Sequence, residues 1–203
     1  VLIQGDAPKP APKEKEVQIK VHAATVTAGD CEVRNLKFPF WIALPLRLFM
    51  GAVKPKRVTI LGQEVAGVIE ETGEKVTAFK KGDRVFGTLG FTMGAYAEYV
   101  CTPAESEEGV LALMPENLSF NEAAAVPTGG LEALHFLREG KVKKGEKILI
   151  NGAGGSIGTS GIQLARYFGA HVTAVDRTGK LEMLRALGRK NYYGSQTVWS
   201  GEF

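Results

Sequence analysis

The 203 residues are enough to bury a real core in one or two domains, and 44% hydrophobic with 23% charged residues argues against a disordered chain. A formal charge of +3, with no basic block and no basic helix face, gives no reason to expect a nucleic acid or an acidic membrane surface as partner. Cys31 and Cys101 lie far apart with no CxxC pattern, which argues against a disulfide framework and fits reduced thiols in the cytoplasm.

In chain order, VLIQGDAPKP turns to Pro and Lys after three apolar residues, so it is no secretory signal. It has no initiator Met and starts as if inside a strand, so the N-terminus reads as incomplete. EVQIKVH then alternates Val17, Ile19 and Val21 on one strand face. FPFWIALPLRLFMGAV is interrupted by Pro39, Pro45 and Arg47. It is too short for a bilayer span of ~20 apolar residues, and reads as a loop or short helix over a hydrophobic cleft. VTILG, EVAGVIEETG and KVTAF follow as strands, Gly82–Asp83 turns into another strand at Arg84, and GAYAEYVCTP runs as a strand to Pro103. Many short strands with Gly-rich turns predict a small barrel-like β domain over residues 1–118.

The pattern changes at LMPENLSFNEAAAVPTGG. Ser119 with Glu122 three residues on is a capping-box signature opening a short helix through Val126. Pro127 is expected to break it, Thr128 to cap the next helix and Gly140 to close that one. From Lys147 the chain reads strand, helix, strand (KILI, IGTSGIQLARYF, HVTAVD), a βαβ unit implying a parallel sheet in a second domain, 119–203. The fold class is therefore α/β.

KILINGAGGSIG puts an apolar strand directly before a Gly-rich turn and a helix. A backbone without Cβ atoms can approach a pyrophosphate, and first-turn N–H groups with the helix dipole stabilise its charge. Against G-x-G-x-x-G the loop offers Ala153, Gly155 and Gly158; alternatively Gly152, Gly155 and Gly158 form GxxGxxG. Ser156 and Ile157 open the helix and contribute backbone N–H groups. Asp176 closes the next strand about 20 residues on, where a ribose-binding carboxylate belongs. Asp176 favours NAD by accepting from a 2′-hydroxyl, whereas Arg177 and Lys180 are placed to hold the 2′-phosphate of NADP. Both cofactors stay open.

ATVTAGDCEVR, ILGQEVAGVIEETGEKVTAFKKGDRVFG, GAYAEYV, AAAVPTGGLEALHFL and INGAGGSIGTSGIQLARYFGAHVTAVD occur in the order found in medium-chain dehydrogenases/reductases. Over about Val1 to Gly188 the chain resembles the zinc-free, quinone oxidoreductase-like branch of that family. The resemblance implies a GroES-like β domain followed by a Rossmann domain, an active site in the cleft between them, a small-molecule substrate and a homodimeric parent protein.

Zinc-dependent relatives carry a Cys and a His where this chain has Thr27, preceding Asp30, and Gln63 in Gly62–Gln63–Glu64. Thr and Gln are not usual zinc ligands. His22, His135 and His171 show no metal spacing, so no zinc site is expected. Without a metal, and with no Tyr followed by Lys four residues later, an acceptor that delocalises its own charge suits the chain: a quinone or an α,β-unsaturated carbonyl. Substrate-side candidates are Thr27 and Asp30, with Trp41 and Phe49 as pocket walls; Asp30 capping a turn is the alternative. Glu132 stands where relatives often have Thr, and no cofactor role is carried to it.

After LEMLRALG the chain reads RKNYYGSQTVWSGEF, with little apolar strand pattern where the family has a third strand. The ending resembles a truncated or frame-shifted product, leaving a truncated Rossmann domain with weak or no cofactor affinity by itself. The leading expectation is NAD(P)H-dependent hydride transfer; the alternative is a nucleotide-binding relative that lacks turnover.

Overall fold

The computed structural model describes residues 4–35, 60–106 and 109–187, and the backbone of 192–195. Trp41 and Phe49 lie outside the described residues. The chain divides into two compact units, 1–125 and 126–203.

The first unit is an antiparallel sheet of five strands, β1 (Glu16–Ala24), β2 (Glu64–Thr72), β3 (Arg84–Thr88), β4 (Tyr99–Pro103) and β5 (Val110–Leu113), in the order β4-β1-β2-β3-β5. β1 lies between β2 and β4, with Ile19 opposite Ile69 and Val100. Val17, Ile19, Val65, Ile69 and Val85 form one buried cluster, the apolar alternation expected of a sheet packed on one face. Gln18 points the other way and is buried too, its amide donating to the Pro10 carbonyl. Between β1 and β2 stands α1 (Ala28–Asn35).

One expected strand is absent, and a second is not seen among the described residues. KVTAF is a turn and loop: Val76 donates to the Gly73 carbonyl, and Val76 and Phe79 pack on the core without joining the ladder. The ladder positions beside β2 are already taken by β1 and β3. Of VTILG, the described residues 60–62 form no strand. GAYAEYVCTP becomes a strand only at Tyr99. Conversely, α1 and β5 were not foreseen; a four-residue apolar run such as VLAL is ambiguous by period alone.

α2 (Phe120–Ala124) begins in the expected capping box: Ser119 accepts from Glu122 N, and Glu122 Oε2 accepts from Ser119 N at 2.9 Å. It packs Ala123 and Ala124 against Ala66 and Met114, and so belongs to the first unit, although its position in the sequence groups it with the second. The Ser119 N–H and hydroxyl hold the Glu122 carboxyl below its ordinary range. The charged form is thus favoured by folding. Its contribution is present above the ordinary Glu pKa and is lost as pH falls through the depressed folded value. Glu122→Gln is expected to flatten the acid side of the stability–pH curve, measured by urea unfolding across the acid range.

The second unit starts with α3 (Pro127–Glu139). The short helix ends before Pro127 as expected, and Pro127 itself opens the next one: it occupies the first turn, where its missing N–H costs nothing. The N-cap is Val126, not Thr128, and it makes no side-chain cap bond. Gly140 does occupy the C-cap, with Lys141 following at φ +50°. β6 (Lys147–Asn151), α4 (Ser156–Tyr167), β7 (His171–Arg177), α5 (Leu181–Ala186) and β8 (Tyr192–Ser195) complete it. The strands are parallel in the order β6-β7-β8. β8 forms where the sequence shows little apolar strand pattern: Ala174 to Arg177 of β7 pair with 192–195. A backbone ladder needs no apolar alternation to form.

Candidate functional site

Two groups of sequence-predicted residues are gathered by the fold, one in each unit. In the first unit Thr27 is the residue before α1, and Asp30 stands in its first turn. Asp30 Oδ2 accepts from Thr27 N (2.8 Å) and Thr27 Oγ1 (2.7 Å), while Asp30 N donates back to Thr27 Oγ1 (3.2 Å). This is a reciprocal cap with Asp in the place of Glu. Asp30 Oδ1 reaches across to accept from Gly62 N at 3.1 Å, so a residue only 2% exposed ties α1 to the start of β2. Both carboxylate oxygens are therefore engaged by the protein itself. The turn-capping alternative describes what Asp30 does.

Beside it, Gln63 Nε2 donates to the Gly90 carbonyl at 3.4 Å, and Thr25 Oγ1 donates to the buried Glu64 carboxylate. Gly62 adopts φ +98°, and a Cβ there would lie 2.6 Å from the Tyr96 ring. The Tyr96 hydroxyl is buried without a hydrogen bond of good geometry. Burial first, then the charge of the nearby Asp30, push its pKa up to about 12, so it keeps its proton. Tyr96 was not singled out from sequence as a site residue, because nothing in GAYAEYV shows that its ring folds over Gly62. His22 stacks on Phe120 with ring centroids 4.4 Å apart, a packing role. Among the described residues no cluster of three His, Cys, Asp or Glu is placed to hold a metal ion. Both cysteines are free and half-buried, and burial pushes Cys101 up to about 11.

In the second unit the glycine loop links β6 to α4. Gly152 takes φ +72°, Ala153 is fully buried with its N–H on the Val175 carbonyl, and Gly155 is the N-cap of α4. Gly158 fits because a Cβ would meet Ala153 Cα at 2.7 Å. Gly129 of α3 approaches from the other side, where a Cβ would come 2.9 Å from the Ser156 carbonyl. No side chain caps α4, and the N–H groups of Ser156, Ile157 and Gly158 meet no acceptor among the described residues. Three open donors at the positive end of a 12-residue helix are an anion cradle.

At the end of β7, Asp176 Oδ2 accepts from Gly154 N (2.7 Å) and Oδ1 from Arg177 N (2.7 Å), and Lys180 Nζ donates to the Gly154 carbonyl (2.9 Å). Burial raises the Asp176 pKa, but the two N–H donors and then the charges of Lys180 and Arg177 outweigh it and hold it below the ordinary carboxylate range. Arg177 is exposed, as is Glu132. Ser156, Ile157, Gly155, Asp176, Arg177 and Lys180 thus surround one loop, whereas Ala153 contributes only packing beneath it. An apolar groove of about 740 Å³ adjoins the loop, lined by Phe136, Leu149, Ile150 and Ile157. The donors, the Cβ-free surface and the carboxylate fit the phosphates and ribose of a dinucleotide.

Residues 13–115 match the alcohol dehydrogenase GroES-like domain. Quinone oxidoreductase from Sus scrofa is 37% identical over 84% of this chain and 46% of its own length. The chain belongs to the quinone oxidoreductase-like medium-chain dehydrogenases/reductases. Within this family, 2-methylene-furan-3-one reductase from Solanum lycopersicum is 35% identical over 92% of this chain and 46% of its own length. The quinone oxidoreductase structure from Coxiella burnetii superposes with a TM-score of 0.77 at 32% identity, covering 94% of this chain and 56% of that one. The chain thus spans about half the length of the family members it matches. No helix among the described residues is long and apolar enough to cross a membrane.

Proposed function

We propose that this protein is a zinc-independent NAD(P)H oxidoreductase that delivers hydride to a quinone or an α,β-unsaturated carbonyl. The observation that carries the nucleotide half of this reading is the uncapped start of α4 behind the glycine loop, with Asp176 and Arg177 at its flank. A bound reduced nicotinamide supplies the hydride. The N–H groups of Ser156, Ile157 and Gly158 hold the pyrophosphate, and Asp176, Arg177 and Lys180 form the adenosine-ribose end of a Rossmann-type site that takes NADP or NAD.

The acceptor class follows from two supports. The relatives named quinone oxidoreductase and 2-methylene-furan-3-one reductase act on conjugated acceptors by their names. In this chain Thr27 and Gln63, at the positions of metal-ligating Cys and His in zinc-dependent relatives, offer only a hydroxyl and an amide. A conjugated acceptor passes the incoming charge to an oxygen that hydrogen bonds can hold. To donate to that oxygen Thr27 must turn its hydroxyl away from Asp30 Oδ2, while Asp30 acts from behind by holding the Thr27 and Gly62 N–H groups. We propose a small-molecule substrate, a homodimeric full-length parent and a cytoplasmic setting.

The test is direct. The full-length protein is titrated with NADH and NADPH by fluorescence, and cofactor oxidation is then followed with a quinone and an enone. Oxidation with either acceptor is the expected result. Cofactor binding without oxidation across a broad acceptor panel would overturn the enzyme reading, and zinc retained stoichiometrically through purification would overturn the metal-free one.

A further inference from the structure

Two of the three residues assigned to the ribose end of the site, Asp176 and Lys180, do something else in this structure: they hold the phosphate loop. Asp176 and Lys180 grip consecutive peptide groups of Gly154 from its two ends. The carboxylate takes the N–H at 2.7 Å, and the ammonium takes the carbonyl at 2.9 Å. The fit is close, since a Cβ on Gly154 would lie 2.5 Å from Lys180 Cδ and 3.1 Å from Asp176 Oδ2. Asp176 is itself fixed, because its second oxygen accepts from Arg177 N. Gly154 immediately precedes Gly155, the N-cap from which the open N–H groups of α4 begin. Charged partners make the stronger kind of hydrogen bond, and a glycine loop has no side-chain contacts of its own to hold its peptide planes.

We propose that Asp176 and Lys180 are positioning residues that clamp the Gly154 peptides and thereby aim the α4 donors, leaving Arg177 to discriminate the 2′-phosphate; this rests on reading the loop as a nucleotide site. Lys180 serves NADH and NADPH equally, because the bond it makes is to the loop. Arg177 is exposed, with its backbone N–H already on Asp176, and its guanidinium is the group left to pair with a phosphate.

The experiment uses this chain with its native residue, with Lys180→Met and with Lys180→Arg. Amide hydrogen exchange at Gly154 and Gly155 is read by NMR without cofactor. K180M is expected to speed exchange at these two amides about tenfold, and K180R to restore it. Unchanged exchange in K180M overturns the clamp. NADH and NADPH are then added to millimolar levels, so that weak binding is read from amide shifts at Ser156, Ile157 and Gly158. Equal weakening of both cofactors by K180M, with Arg177→Met weakening NADPH alone, is the expected pattern. A K180M loss confined to NADPH makes Lys180 a phosphate ligand and overturns the proposal. If the unsubstituted chain moves those amides with neither cofactor, the nucleotide reading has failed, and with it the assignment of Arg177; the exchange rates still decide the clamp.

Discussion

Gly158→Val is expected to abolish the proposed nucleotide site and to cost about 2–3 kcal/mol of stability in the second unit. At this position a Cβ would sit 2.7 Å from Ala153 Cα and 2.8 Å from its carbonyl carbon, and both are backbone atoms that no rotamer change can move. Relief requires α4 to back away from the loop, which drags Gly158 N–H and its neighbours out of line. Ala153 beneath is fully buried and tied to Val175 on β7, so the loop cannot yield instead. Urea unfolding reads the stability loss, and cofactor titration reads the site. Gly158→Ala should show the same effects in smaller degree. Wild-type stability in the valine variant would mean that α4 has room the packing does not show.

Asp30→Ala is expected to cost about 3 kcal/mol. It removes one carboxylate and strands three donors, Thr27 N, Thr27 Oγ1 and Gly62 N. The hydroxyl can turn elsewhere, but the two backbone N–H groups cannot, and Gly62 N lies in a buried contact. Removing an acceptor while leaving buried donors costs more than the bond was worth. Asp30→Asn keeps one oxygen and is expected to fall between, since its NH₂ must then face one of the donors. Denaturant unfolding of the three proteins ranks them. Asn equal to Ala would show that the charge, rather than the acceptor count, supplies the stability.

How these sites relate to the sequence differs from one to the next. The glycine loop was legible because its parts are local: β6, the turn and the start of α4 are contiguous, and their strand, glycine and helix patterns agree. The capping box at Ser119 was legible for the same reason. Asp30 was half legible. Its bond to Thr27 is three residues away, but Gly62 N comes from the lead-in to β2, 32 residues on, and no pattern in either segment announces it. The glycine templates skip Gly154; its partners lie 22 and 26 residues on and come near only once β7 and the turn after it are folded back beside β6. The errors at KVTAF and VLAL have one cause. KVTAF and VLAL are both short apolar runs, and which of them joins the ladder is settled by the edge available beside β3. β8 was missed because apolar alternation was asked of a strand whose pairing is a matter of backbone.

Gly129, in the AVPTGG run, touches no ligand in this reading, yet it stands against the Ser156 carbonyl from a different helix. The start of α4 is consequently set by two glycines, its own Gly158 against the loop backbone and Gly129 on α3, and its direction is fixed by the absence of two methyl groups. That makes the phosphate cradle intolerant of growth at a residue well outside its own motif. Any redesign of the nucleotide end has to treat position 129 as part of the loop, and enlarging it would silence the site while leaving every residue of the glycine motif intact.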